Sequence, residues 1–125
     1  MTRKANNHPA DIFLPMPATV LKAGPVPSME YFVQCALDSG KDLGHMPGQF
    51  VEVSIPGFGE APISISSSPT QKGSFEMVVR KVGNVSGAIH ALKPGRKIGI
   101  RGPFGTHFPV EGAMKGQDIL FVCGG

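Results

Sequence analysis

Residues 75–105 of this chain read FEMVVRKVGNVSGAIHALKPGRKIGIRGPFG and carry three structural signals in succession. Phe75, Met77 and Val79 fall on one face of a strand-like run, and apolar residues then recur at helical spacing over residues 85–92. Pro94 and Gly95 end the helical pattern, and a second short strand follows at residues 97–101. The stretch therefore predicts a strand, a short helix and a strand, around which the rest of the fold is arranged.

The turn at residues 83–86, Gly-Asn-Val-Ser, is suited to the start of that helix. Asn84 and Ser86 can cap a helix, and Gly83 lets the backbone approach a ligand closely. The first helical turn leaves N–H groups unpaired and carries partial positive charge, so such a turn can bind an anion, above all phosphate. Arg80, just upstream, adds a full charge. The same residues also fit an ordinary capped helix, and the spacing alone leaves both interpretations open.

Short strands account for most of the remaining chain. Four further segments are rich in β-branched or alternating apolar residues and are separated by turns that contain Gly and Pro: residues 18–23, 29–37, 50–55 and 61–66. Six short antiparallel strands form a sandwich or a barrel, and a small closed barrel leaves no free edge, with the helix covering one end. We therefore predict an all-β barrel domain over residues 18–116, preceded by an extended lead-in over residues 1–17.

The composition excludes several classes of site. Cys35 and Cys123 are far apart and no His/Cys cluster has metal-ligand spacing, so the sequence predicts no metal site and two buried thiols. No apolar run approaches the ~20 residues of a membrane-spanning helix and the first residues are polar, which predicts a cytoplasmic protein. The formal net charge of +3 suits an anionic ligand and also permits nucleic acid. Since the sequence offers neither a catalytic triad nor a carboxylate pair, any chemistry belongs to a cofactor.

The last residues of the sequence, 117–125, differ in character from the rest. They contain the continuous apolar run Ile119-Leu120-Phe121-Val122 followed by Gly124-Gly125, as in the first strand of a parallel nucleotide-binding sheet. Such a strand is normally followed by a helix and a second strand. We therefore expect residues 117–125 to be the first strand of a truncated nucleotide-binding domain, and the chain to be part of a longer protein.

Five short motifs together carry a resemblance to a known family. They are Pro47-Gly48-Gln49-Phe50, Pro62-Ile63-Ser64, Gly83-Asn84-Val85-Ser86, Gly102-Pro103-Phe104-Gly105 and residues 119–125. In this order they resemble the ferredoxin–NADP reductase superfamily over nearly all the chain after Ala18. The sequence is most similar to the flavin-carrying reductase (gamma) subunits of cytoplasmic nickel–iron hydrogenases and anaerobic sulfite reductases, and similar also to the electron-transfer subunit of dihydroorotate dehydrogenase.

The resemblance implies a fold and a cofactor. The fold is a six-stranded antiparallel Greek-key barrel with one short capping helix, and the cofactor is FAD. It also makes the truncated domain at residues 117–125 an NAD(P)-binding domain.

The resemblance further implies which residues hold the flavin. The superfamily's Arg-x-Tyr-Ser motif falls on residues 61–64, where Ser64 is kept and would face the flavin N5 edge, while Ala61 and Ile63 replace the arginine and the aromatic. The following strand would flank the ribityl chain, with Arg80 supplying the missing charge, and the turn at residues 83–86 would hold the pyrophosphate. The predicted site has Ser64 as its catalytic residue, and its cofactor-binding residues are Pro62, Ile63, Ser64, Val78, Val79, Arg80, Gly83, Asn84, Val85 and Ser86.

The function implied by the resemblance is that of a flavin oxidoreductase subunit. It would pass electrons between NAD(P)H and an iron–sulfur or hydrogenase-type catalytic subunit in the full-length protein or complex. The alternative is a non-catalytic small β-barrel that binds single-stranded nucleic acid, for which the positive charge is the only support. The sequence leaves open the direction of electron flow, whether the nicotinamide is NADH or NADPH, and whether the flavin is FAD or FMN. The four histidines, His8, His45, His90 and His107, are all predicted to be exposed.

Overall fold

The computed structural model describes residues 13–27 and 29–124, which contain six strands and one helix. The elements are β1 (Met16–Pro25), β2 (Glu30–Leu37), β3 (Phe50–Ile55), β4 (Gly59–Ser64), β5 (Phe75–Arg80), α1 (Asn84–Ile89) and β6 (Lys97–Phe104). The six predicted barrel strands and the predicted helix are confirmed. β1 begins at Met16, inside the predicted lead-in, whose first twelve residues, His8 included, lie outside the described residues.

The six strands form one antiparallel sheet in the order β4-β3-β6-β1-β2-β5. β4 and β5 are its outermost strands, and the sheet curls until they meet at a single bridge between Ile65 and Met77. Next to this bridge the N–H of Ser66 donates to the carbonyl of Glu76 at 2.9 Å. The predicted barrel is thus a curled sheet with a seam between β4 and β5, along which the described residues make no further strand pairing.

The core follows the alternation that the sequence predicted. On β2 the buried residues are Tyr31, Val33, Cys35 and Leu37, and on β5 they are Phe75, Met77 and Val79. Ile89 at the end of α1 and Leu92 beyond it are also buried, so the helix and the turn after it close one end of the sheet. The large side chains that the period-2 pattern places on one face therefore pack together in a single cluster.

The predicted strand at residues 117–125 is not formed in the part of it that the structure describes. Residues 118–124 have no regular secondary structure, and Leu120, Phe121 and Val122 are largely exposed. The physical reason is that no described strand runs beside them, and a strand gains its stability from ladder hydrogen bonds to a neighbour.

β6 is longer than predicted. It continues through Gly102 and Pro103 to Phe104, whereas the sequence predicted that these two residues end the strand. Gly102 has a φ of +126°, which glycine adopts readily, and the Gly102–Pro103 peptide bond is cis.

Two predictions about side-chain exposure are wrong in this part of the molecule. His45 is buried, because its Nε2–H donates to the carbonyl of Ser67 at 2.9 Å and fixes the loop before β3. Cys123 is exposed, because the apolar run that precedes it does not pack on the core. His107 is exposed as predicted.

Gly99, near the start of β6, allows the segment before β1 to pass close to the outer face of the sheet. A Cβ atom at this position would lie 2.7 Å from the Cβ of Pro15 and 3.1 Å from that of Ser54. Pro15 can rest on the outer face of β6 only because position 99 has no side chain. The segment that enters β1 is therefore held against a strand that lies more than eighty residues further along the chain.

Within residues 13–27 and 29–124, no helix has the length and apolarity that a membrane crossing requires. The same residues contain no cluster of three or more His, Cys, Asp or Glu side chains that could hold a metal ion.

The two cysteines should differ sharply in reactivity. Burial raises the pKa of the Cys35 thiol to about 12, so at pH 8 it is neutral and shielded from reagents, while Cys123 is exposed. We expect a thiol-specific reagent to modify Cys123 in the native protein and Cys35 only after denaturation. A Cys123→Ser variant is the control and should not react while folded. Rapid modification of Cys35 in that variant would contradict the buried position.

Candidate functional site

The seam between β4 and β5 opens into a cavity of about 550 Å³ next to the start of α1. Its lining contains every residue that the sequence assigned to the cofactor, namely Pro62, Ile63, Ser64, Val78, Val79, Arg80, Gly83, Asn84, Val85 and Ser86. Ala61 and Val82 complete it. Residues from two strands and one turn, separated by up to about twenty-five positions in sequence, therefore surround one space.

The two strand edges present alternate backbone groups to this cavity. The N–H of Ser66 and the carbonyl of Glu76 meet across the seam. Because backbone groups alternate in direction along a strand, the N–H and C=O groups of Ser64 and Val78, two residues away, also point into the seam. Pro62 lies on that side as well but has no N–H to donate. Continued pairing of β4 with β5 would therefore lack a hydrogen bond at Pro62, which helps to keep the seam open.

Side chains also divide between the core and the cavity. Pro62, Ser64 and Val78 are exposed on the outer face, so a ligand in the seam can reach them. Ile63, which the resemblance places where the superfamily has an aromatic, is half-buried and packs against the core. The wall available to a flat ring is therefore formed mainly by Pro62 and Val78, with the Ser64 hydroxyl beside it.

The turn before α1 is shaped by the side chain of Ser86. Its Oγ accepts hydrogen bonds from the N–H groups of Val82 at 2.8 Å and Gly83 at 2.9 Å, and the side chain is buried. Because this hydroxyl is already engaged, it fixes the turn from within. Asn84 and Val85, which begin the helix, line the cavity, and the N–H groups of a first helical turn have no partner inside the helix.

Gly83 contributes space at the same turn. Its backbone is extended, with φ −175° and ψ −165°, and a Cβ atom at this position would meet nothing within 4 Å. The fold itself therefore does not require glycine here. Without a side chain at this position, a ligand in the cavity can reach the backbone of the turn directly.

Arg80 supplies the only charged side chain in the lining of this cavity, as far as the described residues show. Its guanidinium donates from Nε at 3.2 Å and from Nη2 at 2.9 Å to the same oxygen, Oε1 of Glu30. Glu30 begins β2 and lies opposite Arg80 in the strand register. Nothing in the local sequence around Arg80 points to Glu30, which lies fifty residues away.

His90 has a structural position that the sequence did not predict. Its Nε2–H donates to the carbonyl of Val79 at 2.6 Å, and its ring stacks on Tyr31 with 5.1 Å between centroids. The hydroxyl of Tyr31 in turn donates to the carbonyl of Leu92 at 2.7 Å. These contacts join β2, β5 and the residues after α1, so they hold the end of the helix against β5, which lines the cavity.

Two further ion pairs, Arg101–Glu60 and Lys97–Asp38, have no member in the lining of the cavity. A hydrogen bond from Arg101 holds the pKa of the Glu60 carboxyl below its usual range, and hydrogen bonds from Thr19 and then Lys97 do the same for Asp38. Each of these carboxylates stays ionised at neutral pH within its ion pair. They are therefore poor candidates for proton transfer to a ligand in the seam.

Comparison with known proteins identifies a sequence match that spans most of this structure. The profile of the oxidoreductase FAD-binding domain family matches residues 27–108. The gamma subunit of sulfhydrogenase 1 from Pyrococcus furiosus is 52% identical over 79 residues, which are 63% of this chain and 27% of that protein. A probable electron transfer subunit of dihydroorotate dehydrogenase B (NAD(+)) from Methanocaldococcus jannaschii is 42% identical over 86 residues, 68% of this chain and 29% of that protein.

Solved structures show the same fold. A cytochrome P450 reductase of Amycolatopsis superposes with a TM-score of 0.66 at 26% identity, over 75% of this chain and 29% of that one. An NADH-dependent reduced ferredoxin–NADP oxidoreductase superposes with a TM-score of 0.63 at 24% identity, over 72% of this chain and 33% of that one. The chain thus spans roughly a quarter to a third of the length of these similar proteins.

Removal of the Ser86 hydroxyl should destabilise the turn that borders the cavity. Ser86→Ala removes the acceptor of the N–H groups of Val82 and Gly83, and at about 0.5–1.5 kcal/mol for each lost hydrogen bond the cost is about 1–3 kcal/mol. We expect the free energy of unfolding in urea to fall by about that amount. Asn84→Ala, at an exposed position in the same turn, is the matched control and should change it far less. Equal stability of Ser86→Ala and the unmodified protein would contradict this role.

Proposed function

Because this chain belongs to the oxidoreductase FAD-binding domain family, we propose that the cavity at the β4–β5 seam is its FAD site. The family match confirms the resemblance found in the sequence and gives no support to binding of nucleic acid. One observation carries the location of the site: all ten residues assigned to the cofactor line the same cavity.

The residues of the cavity fit the two chemically different halves of the cofactor. Pro62 and Val78 offer apolar surface to the flat isoalloxazine ring, and the hydroxyl of Ser64 can donate or accept a hydrogen bond at its N5 edge. The turn at Gly83 offers an unobstructed backbone to the diphosphate, and Arg80 offers a positive charge. Ala61 provides no charge, so the diphosphate depends on Arg80 and on backbone N–H groups.

The protein residues bind, orient and shield, while bound FAD supplies the redox chemistry by exchanging a hydride or single electrons. Ser64 lies on the exposed face of β4, where it orients the reactive edge of the ring. Ser86 and His90 hold the turn and the strand on which the ligand rests. Ile63 supports the ring from the core side.

We place this domain in a larger electron-transfer enzyme. The similar proteins include a sulfhydrogenase gamma subunit and an electron transfer subunit of an NAD(+)-linked dehydrogenase. By analogy, the whole protein would pass electrons between NAD(P)H, bound by a domain that begins near residue 117, and an iron–sulfur or hydrogenase-type subunit. The free thiols of Cys35 and Cys123 agree with a cytoplasmic location.

Titration of the folded protein with FAD tests the site directly. Flavin fluorescence or calorimetry should show saturable binding, and Gly83→Ala should weaken it at least tenfold, about 1.4 kcal/mol, because the added methyl group occupies the approach to the diphosphate. The thermal unfolding midpoint of Gly83→Ala should be unchanged, since the backbone is extended and the methyl group meets no atom of the protein.

Gly24→Ala is the matched control for this titration. A Cβ atom at Gly24 also meets nothing within 4 Å, but the residue lies in β1, outside the cavity. FAD affinity should therefore be the same in Gly24→Ala and the unmodified protein. Absence of saturable binding by folded protein would refute the proposed function, and normal binding by Gly83→Ala would place the diphosphate elsewhere.

A further inference from the structure

We propose that Glu30 lowers the affinity of the seam cavity for phosphate-bearing ligands by competing with them for Arg80. This inference rests on the proposed function and extends it to a residue outside the cavity. The starting observation is that Arg80, the one charged side chain that the described residues contribute to the lining, already has a partner. A diphosphate that enters the cavity therefore competes with Glu30 for the positive charge of the Arg80 guanidinium, whose Nε and Nη2 both donate to the carboxylate.

The geometry of the pair favours such an exchange. The side chain of Arg80 is 67% exposed, whereas that of Glu30 is only 15% exposed. The guanidinium is the long, solvent-accessible partner and can turn towards the cavity, while the carboxylate is held at the start of β2. Both hydrogen bonds from Arg80 end on one oxygen of Glu30, so the pair lacks the two-oxygen geometry of the strongest Arg–carboxylate contacts.

The balance of charges gives the direction of the effect. An ion pair with one largely exposed partner contributes little to stability, because water solvates the separated charges well. A diphosphate carries more negative charge than one carboxylate and accepts more hydrogen bonds, so it can displace Glu30. The displaced carboxylate then remains near the cavity and repels the ligand. Glu30 therefore sets the binding strength without touching the ligand.

The opposite effect would follow if Glu30 served to orient Arg80 towards the ligand. In that case removal of the carboxylate would weaken binding, because the guanidinium would lose its fixed direction. The two possibilities predict changes of opposite sign for the same substitution. Glu30→Gln separates them, since it removes the charge and keeps the size of the side chain.

The experiment compares three ligands with different phosphate content: FAD, riboflavin and inorganic pyrophosphate. We expect Glu30→Gln to bind FAD and pyrophosphate roughly three- to tenfold more tightly than the unmodified protein, at low ionic strength, and to bind riboflavin equally well. In an Arg80→Ala background, which itself weakens binding of FAD, the same substitution should have no effect, because the competition requires Arg80.

Asp38→Asn is the matched control for this comparison. It removes one negative charge from another ion pair, with Lys97, just beyond the opposite end of β2. The net charge changes equally, so an unchanged FAD affinity in Asp38→Asn shows that the gain in Glu30→Gln is local. Thermal unfolding of each variant verifies that the fold is retained.

Three results would overturn the inference: unchanged or weaker FAD binding by Glu30→Gln, an equal gain for riboflavin, or an equal gain in the Arg80→Ala background. Failure of the proposed function looks different, because the unmodified protein would then not bind FAD at all. The pyrophosphate titrations would still decide the role of Glu30 in that case.

Discussion

The cavity of this molecule exists because two facing strand edges, those of β4 and β5, pair at only one bridge. β4 and β5 approach closely enough for Ile65 and Met77 to pair, and then diverge where Pro62 cannot donate a hydrogen bond. An open edge is normally a liability, because its N–H and C=O groups invite another chain. Here the turn before α1 covers one end of the opening, and the two edges line the cavity that we propose as the FAD site.

The strands could be predicted because they depend on local patterns, and most of the cavity lining because the family resemblance assigned it. Alternation of apolar residues identified the buried faces of β2 and β5, and the change from period 2 to helical spacing placed the turn at residues 83–86. Once β4, β5 and α1 were assigned, the family resemblance placed Ser64 and Arg80 at the cofactor. The structure adds that these elements border one space.

The remaining features depend on contacts between distant parts of the chain, which a single sequence does not encode visibly. Polar residues in loops are usually exposed, yet His45 and His90 are held by carbonyl groups of Ser67 and Val79 that only the tertiary fold brings near. The pairing of Arg80 with Glu30 requires the register of β2 against β5. The apolar run after residue 117 also depends on a distant contact. Its pattern is that of a strand, but it forms no strand because no described strand lies beside it.

The contact between Pro15 and Gly99 links two positions that would otherwise evolve independently. Any side chain at position 99 would collide with Pro15 and lift the chain that enters β1 off the sheet. A family member with a different crossing at residue 15 is released from that restriction and can carry alanine or serine at position 99. Covariation of these two columns in an alignment would therefore report how the polypeptide enters the sheet, independently of the cofactor site.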